Sequence, residues 1–134
     1  MSTHCQIGVK YERTGKVMSI YCHFDGYPSG VGKMLLKHYN TQKKMEALIA
    51  NDDLESLGPT LKDNVALQSG DDGFQPSYDS GEDVFLERMS MSAAEYIYLF
   101  VIYKRKSKAP RWFIAEGNSL LGFVPLTPKI CKMT

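Results

Sequence analysis

Residues 95–104 read Glu-Tyr-Ile-Tyr-Leu-Phe-Val-Ile-Tyr-Lys. Tyr96, Tyr98, Phe100 and Ile102 alternate with Ile97, Leu99, Val101 and Tyr103. Side chains on a strand point to opposite faces in turn, so both faces of this segment are apolar or aromatic. A strand of that kind belongs in the middle of a sheet, covered on both sides. The fold is therefore read outward from here. A basic turn follows, Lys104-Arg105-Lys106-Ser107-Lys108-Ala109-Pro110-Arg111, and Trp112 to Ala115 reads as the return strand. Beyond it, Leu120 to Ile130 contains Pro125 and Pro128, which suits an extended or edge segment.

Toward the N-terminus, Gln6 to Tyr11 and Val17 to His23 are rich in β-branched and aromatic residues. Glu12-Arg13-Thr14-Gly15-Lys16 separates them, and Gly15 in the left-handed conformation closes a hairpin. The period then changes. Val31, Met34, Leu35 and Tyr39 share one helical face, while Lys33 and Lys37 lie one turn apart on another. Thr41 is placed to cap a second helix with Met45, Leu48 and Ile49 as its apolar stripe. Asp52-Asp53 with Leu54 and Leu57 suggests one more short helical turn, stopped by Gly58-Pro59. Residues 68–83 are polar, acidic and glycine-rich without a period, which predicts a long loop. The expected fold is α+β, in the order ββαα(loop)ββ. It is one domain over residues 1–134, with an antiparallel sheet of about four to five strands carrying two to three helices on one face.

The bulk numbers exclude several classes. A chain of 134 residues with 43% apolar content is long enough for one packed core. Sixteen Lys and Arg against fifteen Asp and Glu leave a net charge of +1, so no strong overall field points to nucleic acid, which is not an expected partner. The N-terminal stretch lacks a charged-then-apolar signal pattern, and Ala93 to Tyr103 is too short to span a bilayer. No membrane partner and a cytoplasmic location are expected. Cys5, Cys22 and Cys131 are odd in number, lack CxxC spacing, and read as reduced buried thiols.

The chemistry-bearing run is His23-Phe24-Asp25-Gly26-Tyr27-Pro28-Ser29-Gly30-Val31-Gly32-Lys33, between a strand and a helix. It differs from a P-loop. Five residues, not four, separate Gly26 from Gly32, and Met34, not Ser or Thr, follows the lysine. A weaker expectation survives: Ser29 or Gly30 caps the helix, and the N–H groups from Gly30 to Lys33 meet an anion with Lys33 nearby. Turn chemistry alone also explains the glycines, though it explains His23, Asp25 and Tyr27 less well. The candidate ligand-binding set is thus His23, Asp25, Tyr27, Ser29, Gly30, Gly32 and Lys33. His23 and Asp25 are the acid–base pair if the protein is an enzyme.

No metal or cofactor is expected. His4, Cys5, Cys22 and His23 include strand neighbours that point to opposite faces, so the four do not converge. Asp71, Asp72, Asp79, Glu82 and Asp83 lack calcium-loop spacing and read as a solvated loop. The cations of the basic turn read as a wet hairpin tip, and Tyr96, Tyr98 and Phe100 as core.

The run Tyr21 to Lys33 resembles the small phage and prophage proteins built around a "His-aromatic-Asp-Gly-Tyr-Pro" loop. The resemblance continues through Met34-Leu35-Leu36-Lys37-His38-Tyr39, Leu48-Ile49 and Asp53-Leu54-Glu55-Ser56-Leu57-Gly58. It reappears in Tyr96-Ile97-Tyr98-Leu99-Phe100 and Phe123-Val124-Pro125-Leu126-Thr127-Pro128. It implies a phage or prophage accessory protein working in the bacterial cytoplasm. The expected function is a non-enzymatic binder that counters a host defence by sequestering an anionic, nucleotide-like ligand at residues 23–33. A protein–protein inhibitor of a host enzyme, docking through the basic turn or the acidic loop, is the alternative. A small hydrolase or nuclease using His23 and Asp25 is the third reading. Assembly into a homo-oligomer is compatible with an exposed sheet edge.

Overall fold

The computed structural model describes residues 3–50, 53–67, 76–117 and 122–132. Strands β1 (Cys5–Tyr11) and β2 (Val17–Cys22) form the expected hairpin, closed by Gly15 at φ 75°. Cys5 pairs with Cys22, and Lys10 with Val17. A π-helical turn (Pro28–Gly32) runs directly into α1 (Lys33–His38), and α2 (Gln42–Ile49) follows, capped by the Thr41 side chain. Then come β3 (Leu54–Ser56), β4 (Val65–Ala66), β5 (Ser77–Asp79) and α3 (Glu82–Ser90). The chain closes with β6 (Tyr96–Ile102), β7 (Arg111–Glu116), β8 (Val124–Pro125) and α4 (Pro128–Cys131).

The class is α+β, but the sheet is larger than expected and mixed. Among the described residues it has eight strands in the order β4-β3-β2-β1-β6-β7-β8, with β5 also paired to β2. The central pair, β1 and β6, is parallel, from Cys5 opposite Tyr96 to Tyr11 opposite Ile102. The antiparallel expectation fails there because the paired positions lie 91 apart in sequence, and a period of two reads the same in either direction. The segment expected to form a helical turn at 52–57 is instead β3, paired parallel to β2 at Cys22 and Leu54; Asp52 lies outside the described residues. Of the expected loop 68–83, residues 68–75 also lie outside them. Its remainder supplies β5, antiparallel to β2, and the start of α3.

Helices cover both faces, not one. Cys5, Ile7, Val9, Ile20, Tyr98, Phe100 and Trp112 pack with Leu35, Tyr39, Met45 and Leu48 of the segment 33–49 and with Cys131 of α4. On the other face Ile97, Leu99 and Val101 pack with Phe85 and Met89 of α3. The central strand β6 is accordingly buried from Ile97 to Ile102, as its two-sided pattern predicts. Trp112 Nε1 donates to the Tyr39 carbonyl at 2.9 Å, which ties the end of α1 to β7. That tie fixes the helix beside the loop where the candidate site lies.

Candidate functional site

The loop from His23 to Gly32 is held by the strand edges beneath it. Gly26 N–H donates to the Thr3 carbonyl at 2.9 Å, and the Gly26 carbonyl accepts from Tyr98 Oη at 2.7 Å. A Cβ on Gly26 would meet Cys5 Cβ at 2.8 Å and the His4 and Thr3 backbone at 2.9 Å, so glycine is required by close approach. Tyr98 is fully buried on β6, and desolvation pushes its phenol well above the usual tyrosine range. Just before Gly26, Asp25 takes the left-handed conformation at φ 59°, which a short polar side chain tolerates.

The expected amide cradle is closed. Gly30 N–H donates to the Tyr27 carbonyl at 2.9 Å and Val31 N–H to the Asp25 carbonyl at 2.8 Å. Lys33 N–H is taken by the carbonyls of Gly30 and Pro28. The π-helical turn begins three residues before Val31 and consumes the donors that a helix starting at Val31 would leave free. An anion at this site must be held by side chains.

His23 and Asp25 engage different partners. The His23 ring lies 2.9 Å from Tyr21 Oη through Nδ1 and stacks on His4 at 4.4 Å between centroids. His4 Nδ1 in turn contacts the His23 carbonyl at 2.8 Å. The Asp25 carboxylate accepts from Tyr27 Oη at 3.1 Å, and that hydrogen bond pushes the Tyr27 phenol up. His23 therefore joins a ring cluster with His4, Tyr21 and Phe24, while Asp25 and Tyr27 face the helix.

Two adjoining cavities open along α1, and Ser29, Lys33 and Lys37 line both. One, of about 370 Å³, adds Asp25, Tyr27, Gly30, Val31, Met34, His38 and Leu57. The other, of about 510 Å³, adds Leu36, Pro128, Cys131 and Lys132. Lys33, Lys37 and Lys132 are exposed at its rim. Among the described residues no carboxylate lines this larger cavity or forms an ion pair with those lysines. Its floor is apolar: Leu36, Pro128 and the buried Cys131. Burial pushes the Cys131 thiol up, with the Lys33 ammonium pulling the other way. Gly32, of the expected site residues, is buried against Tyr98 and lines neither cavity.

Lys37, Leu36, Pro128, Cys131 and Lys132 lie outside the expected set. The Lys33-to-Lys37 spacing on one helical face was a visible signal for the second lysine. Thr127-Pro128 was a signal for α4: Thr127 Oγ1 accepts from Ile130 N–H at 3.3 Å, and proline suits the first helical turn. Among the described residues no group of three or more His, Cys, Asp or Glu is placed to hold a metal ion. No helix among them is long and apolar enough to cross a membrane. No protein-family model, curated protein or solved structure matches the chain.

Proposed function

We propose that the protein is a non-enzymatic binder of a small anionic, nucleotide-like molecule, held in the groove between α1 and α4. The observation that carries this reading is the cavity of about 510 Å³ with Lys33, Lys37 and Lys132 around an apolar floor and no described acid in its lining. That volume falls in the range of small-molecule sites, which are mostly apolar with a few placed charges. Three ammonium groups suit a phosphate as point charges. Leu36, Pro128 and Cys131 offer a surface for a ring or other apolar part. Asp25 and Tyr27, in the adjoining cavity, are placed for the polar edge of the same ligand. The resemblance of residues 21–33 to phage and prophage proteins supports a biological setting in which such a binder counters a host defence by sequestering a nucleotide signal. The engagement of His23 with Tyr21 and of Asp25 with Tyr27, rather than with each other, weighs against the hydrolase reading.

The test is native purification after incubation with a bacterial nucleotide extract, then denaturation and mass spectrometry of what is released. The expected result is a phosphorylated compound, released unmodified and lost when Lys33→Glu and Lys132→Glu are combined. Both lysines are exposed, so the double variant should melt like the parent. Protein that emerges empty, or a double variant that retains the compound, refutes the groove as the site. A compound released in altered form refutes sequestration and returns the enzyme reading.

A further inference from the structure

The parallel pairing of β1 with β6 has an effect on charge that neither segment shows alone. Tyr11 is opposite Ile102, so the β1–β2 turn and the β6–β7 turn emerge side by side at one end of the sheet. Two hydrogen bonds join them: Glu12 N–H donates to the Ile102 carbonyl at 2.9 Å, and Lys104 N–H to Glu12 Oε1 at 3.1 Å. Residues 12–16 and 104–111 together hold Arg13, Lys16, Lys104, Arg105, Lys106, Lys108 and Arg111, against the single acid Glu12. All seven cations are exposed, and none forms an ion pair among the described residues. A chain with net charge +1 thus concentrates its positive charge at one end.

We infer that the paired hairpin tips are a docking surface for the phosphate backbone of a nucleic acid. Two observations favour a polyanion over an acidic protein face. First, the exposed large apolar side chains among the described residues are Phe24, Leu61, Val65, Tyr78, Val84, Met91 and Val124, and none lies on either tip. Protein interfaces take most of their energy from a few desolvated apolar or aromatic anchors, which this surface lacks. Second, two of the seven cations are braced. Lys108 Nζ sits 3.9 Å from the Tyr103 ring centroid, and the Arg111 guanidinium 5.7 Å from that of Phe113. Of the two acids beside the tips, Glu82 is paired with Lys10 Nζ at 3.2 Å, whereas Glu46 accepts from the neutral Tyr11 hydroxyl and keeps its charge, one against seven cations. Contacts of this type position a backbone and read no sequence.

The experiment is fluorescence anisotropy with a short labelled DNA duplex and, separately, a single strand of the same sequence, titrated at several salt concentrations. If about four of the seven cations engage phosphates, affinity should fall about 100-fold between about 50 and 200 mM salt. Arg105→Glu with Lys108→Glu should abolish binding. Arg13→Ala with Lys16→Ala should lower the salt slope by about two, showing that both tips take part. Lys33→Glu with Lys132→Glu, in the groove, should weaken binding far less than Arg105→Glu with Lys108→Glu despite the same change in net charge, so the outcome is separable from the small-ligand proposal. Tighter binding of either probe identifies which form of the backbone the surface fits. Absence of binding to both probes at low salt, or binding that survives the two tip variants, overturns the inference.

Discussion

Tyr98→Phe is the sharpest test of how the fold builds the loop. The substitution removes one oxygen from a fully buried side chain and leaves the buried Gly26 carbonyl without its 2.7 Å donor. A buried polar group stripped of its partner costs about 1–3 kcal/mol. An unfolding entropy of about 2.1 cal/mol/K per residue gives about 0.3 kcal/mol/K for a chain of 134 residues. A loss of about 2 kcal/mol therefore lowers Tm by about 7 °C. A general loss of stability is not enough to support the clamp. The local sign is faster hydrogen exchange at Gly30 and Val31, whose amides bond only within the loop, to Tyr27 and Asp25. Tyr39→Phe is the control. Tyr39 Oη donates at 2.7 Å to the Gly58 carbonyl and is equally buried, but its deletion touches a different loop. Both variants should lose comparable stability, and only Tyr98→Phe should speed exchange at Gly30 and Val31. A Tyr98→Phe protein with unchanged Tm and unchanged exchange would refute the argument that β6 anchors the loop.

Gly26→Ala should destabilise far more than Gly81→Ala in thermal melts, because a Cβ at 26 meets the backbone of Thr3 and His4 whereas none of the described atoms lies within 4 Å at 81. Equal melting temperatures would contradict the close approach. Asp79→Asn should cost about 1–3 kcal/mol by denaturant titration: its bidentate contacts from Arg88 are 2.9 and 2.8 Å, and the half-exposed Arg88 can rehydrate. A loss below a few tenths of a kcal/mol would make the pair ornamental. Burial raises the Cys5 thiol above its ordinary value of 9.0, with Cys22 adding to the shift. The folded form therefore holds a proton that the unfolded chain releases, so this stability is complete below about pH 9 and declines as pH rises beyond it. Cys5→Ala should make the alkaline decline shallower whatever it does to the neutral-pH value, and an unchanged slope would assign the decline to other groups.

What the residues reveal about the fold depends on the range of the interaction. The hairpin at 5–22 was legible because its turn and both its strands are contiguous. The central strand was legible because both of its faces are apolar. Its parallel neighbour was not, since nothing in Tyr96 to Ile102 records which strand lies beside it. The helix α3 was hidden by the glycine-rich acidic run before it. Its signals were present, however: Glu82 and Asp83 occupy the first turn, and Phe85 and Met89 recur one turn apart on the buried side. β3 was misread because Leu54 and Leu57 have helical spacing, and three residues cannot display a strand period. In the site, the lysine pair on α1 was legible from spacing. Lys132 enters only because α4 packs on the π-helical turn and α1.

The run from His23 to Lys33 therefore divides into two kinds of residue. Gly26 is explained by packing against β1, Gly32 by its place over Tyr98, and the amides near Gly30 by bonds inside the loop. A glycine-rich junction between strand and helix suggests a phosphate loop only while its N–H groups remain free, and here those of Gly30, Val31 and Lys33 are engaged. The residues left without a packing explanation are the ones whose charge or hydroxyl faces the cavities: Asp25 with Tyr27, and Lys33. This division moves the candidate site from the backbone to side chains, and from the loop to the groove shared with α4. It also changes which substitutions are informative. Replacing a glycine would disturb the fold and the site together, whereas replacing an exposed lysine separates them. A ligand lost with Lys33→Glu and Lys132→Glu combined, at unchanged Tm, would place recognition in charge, and one retained would refute the groove as the site.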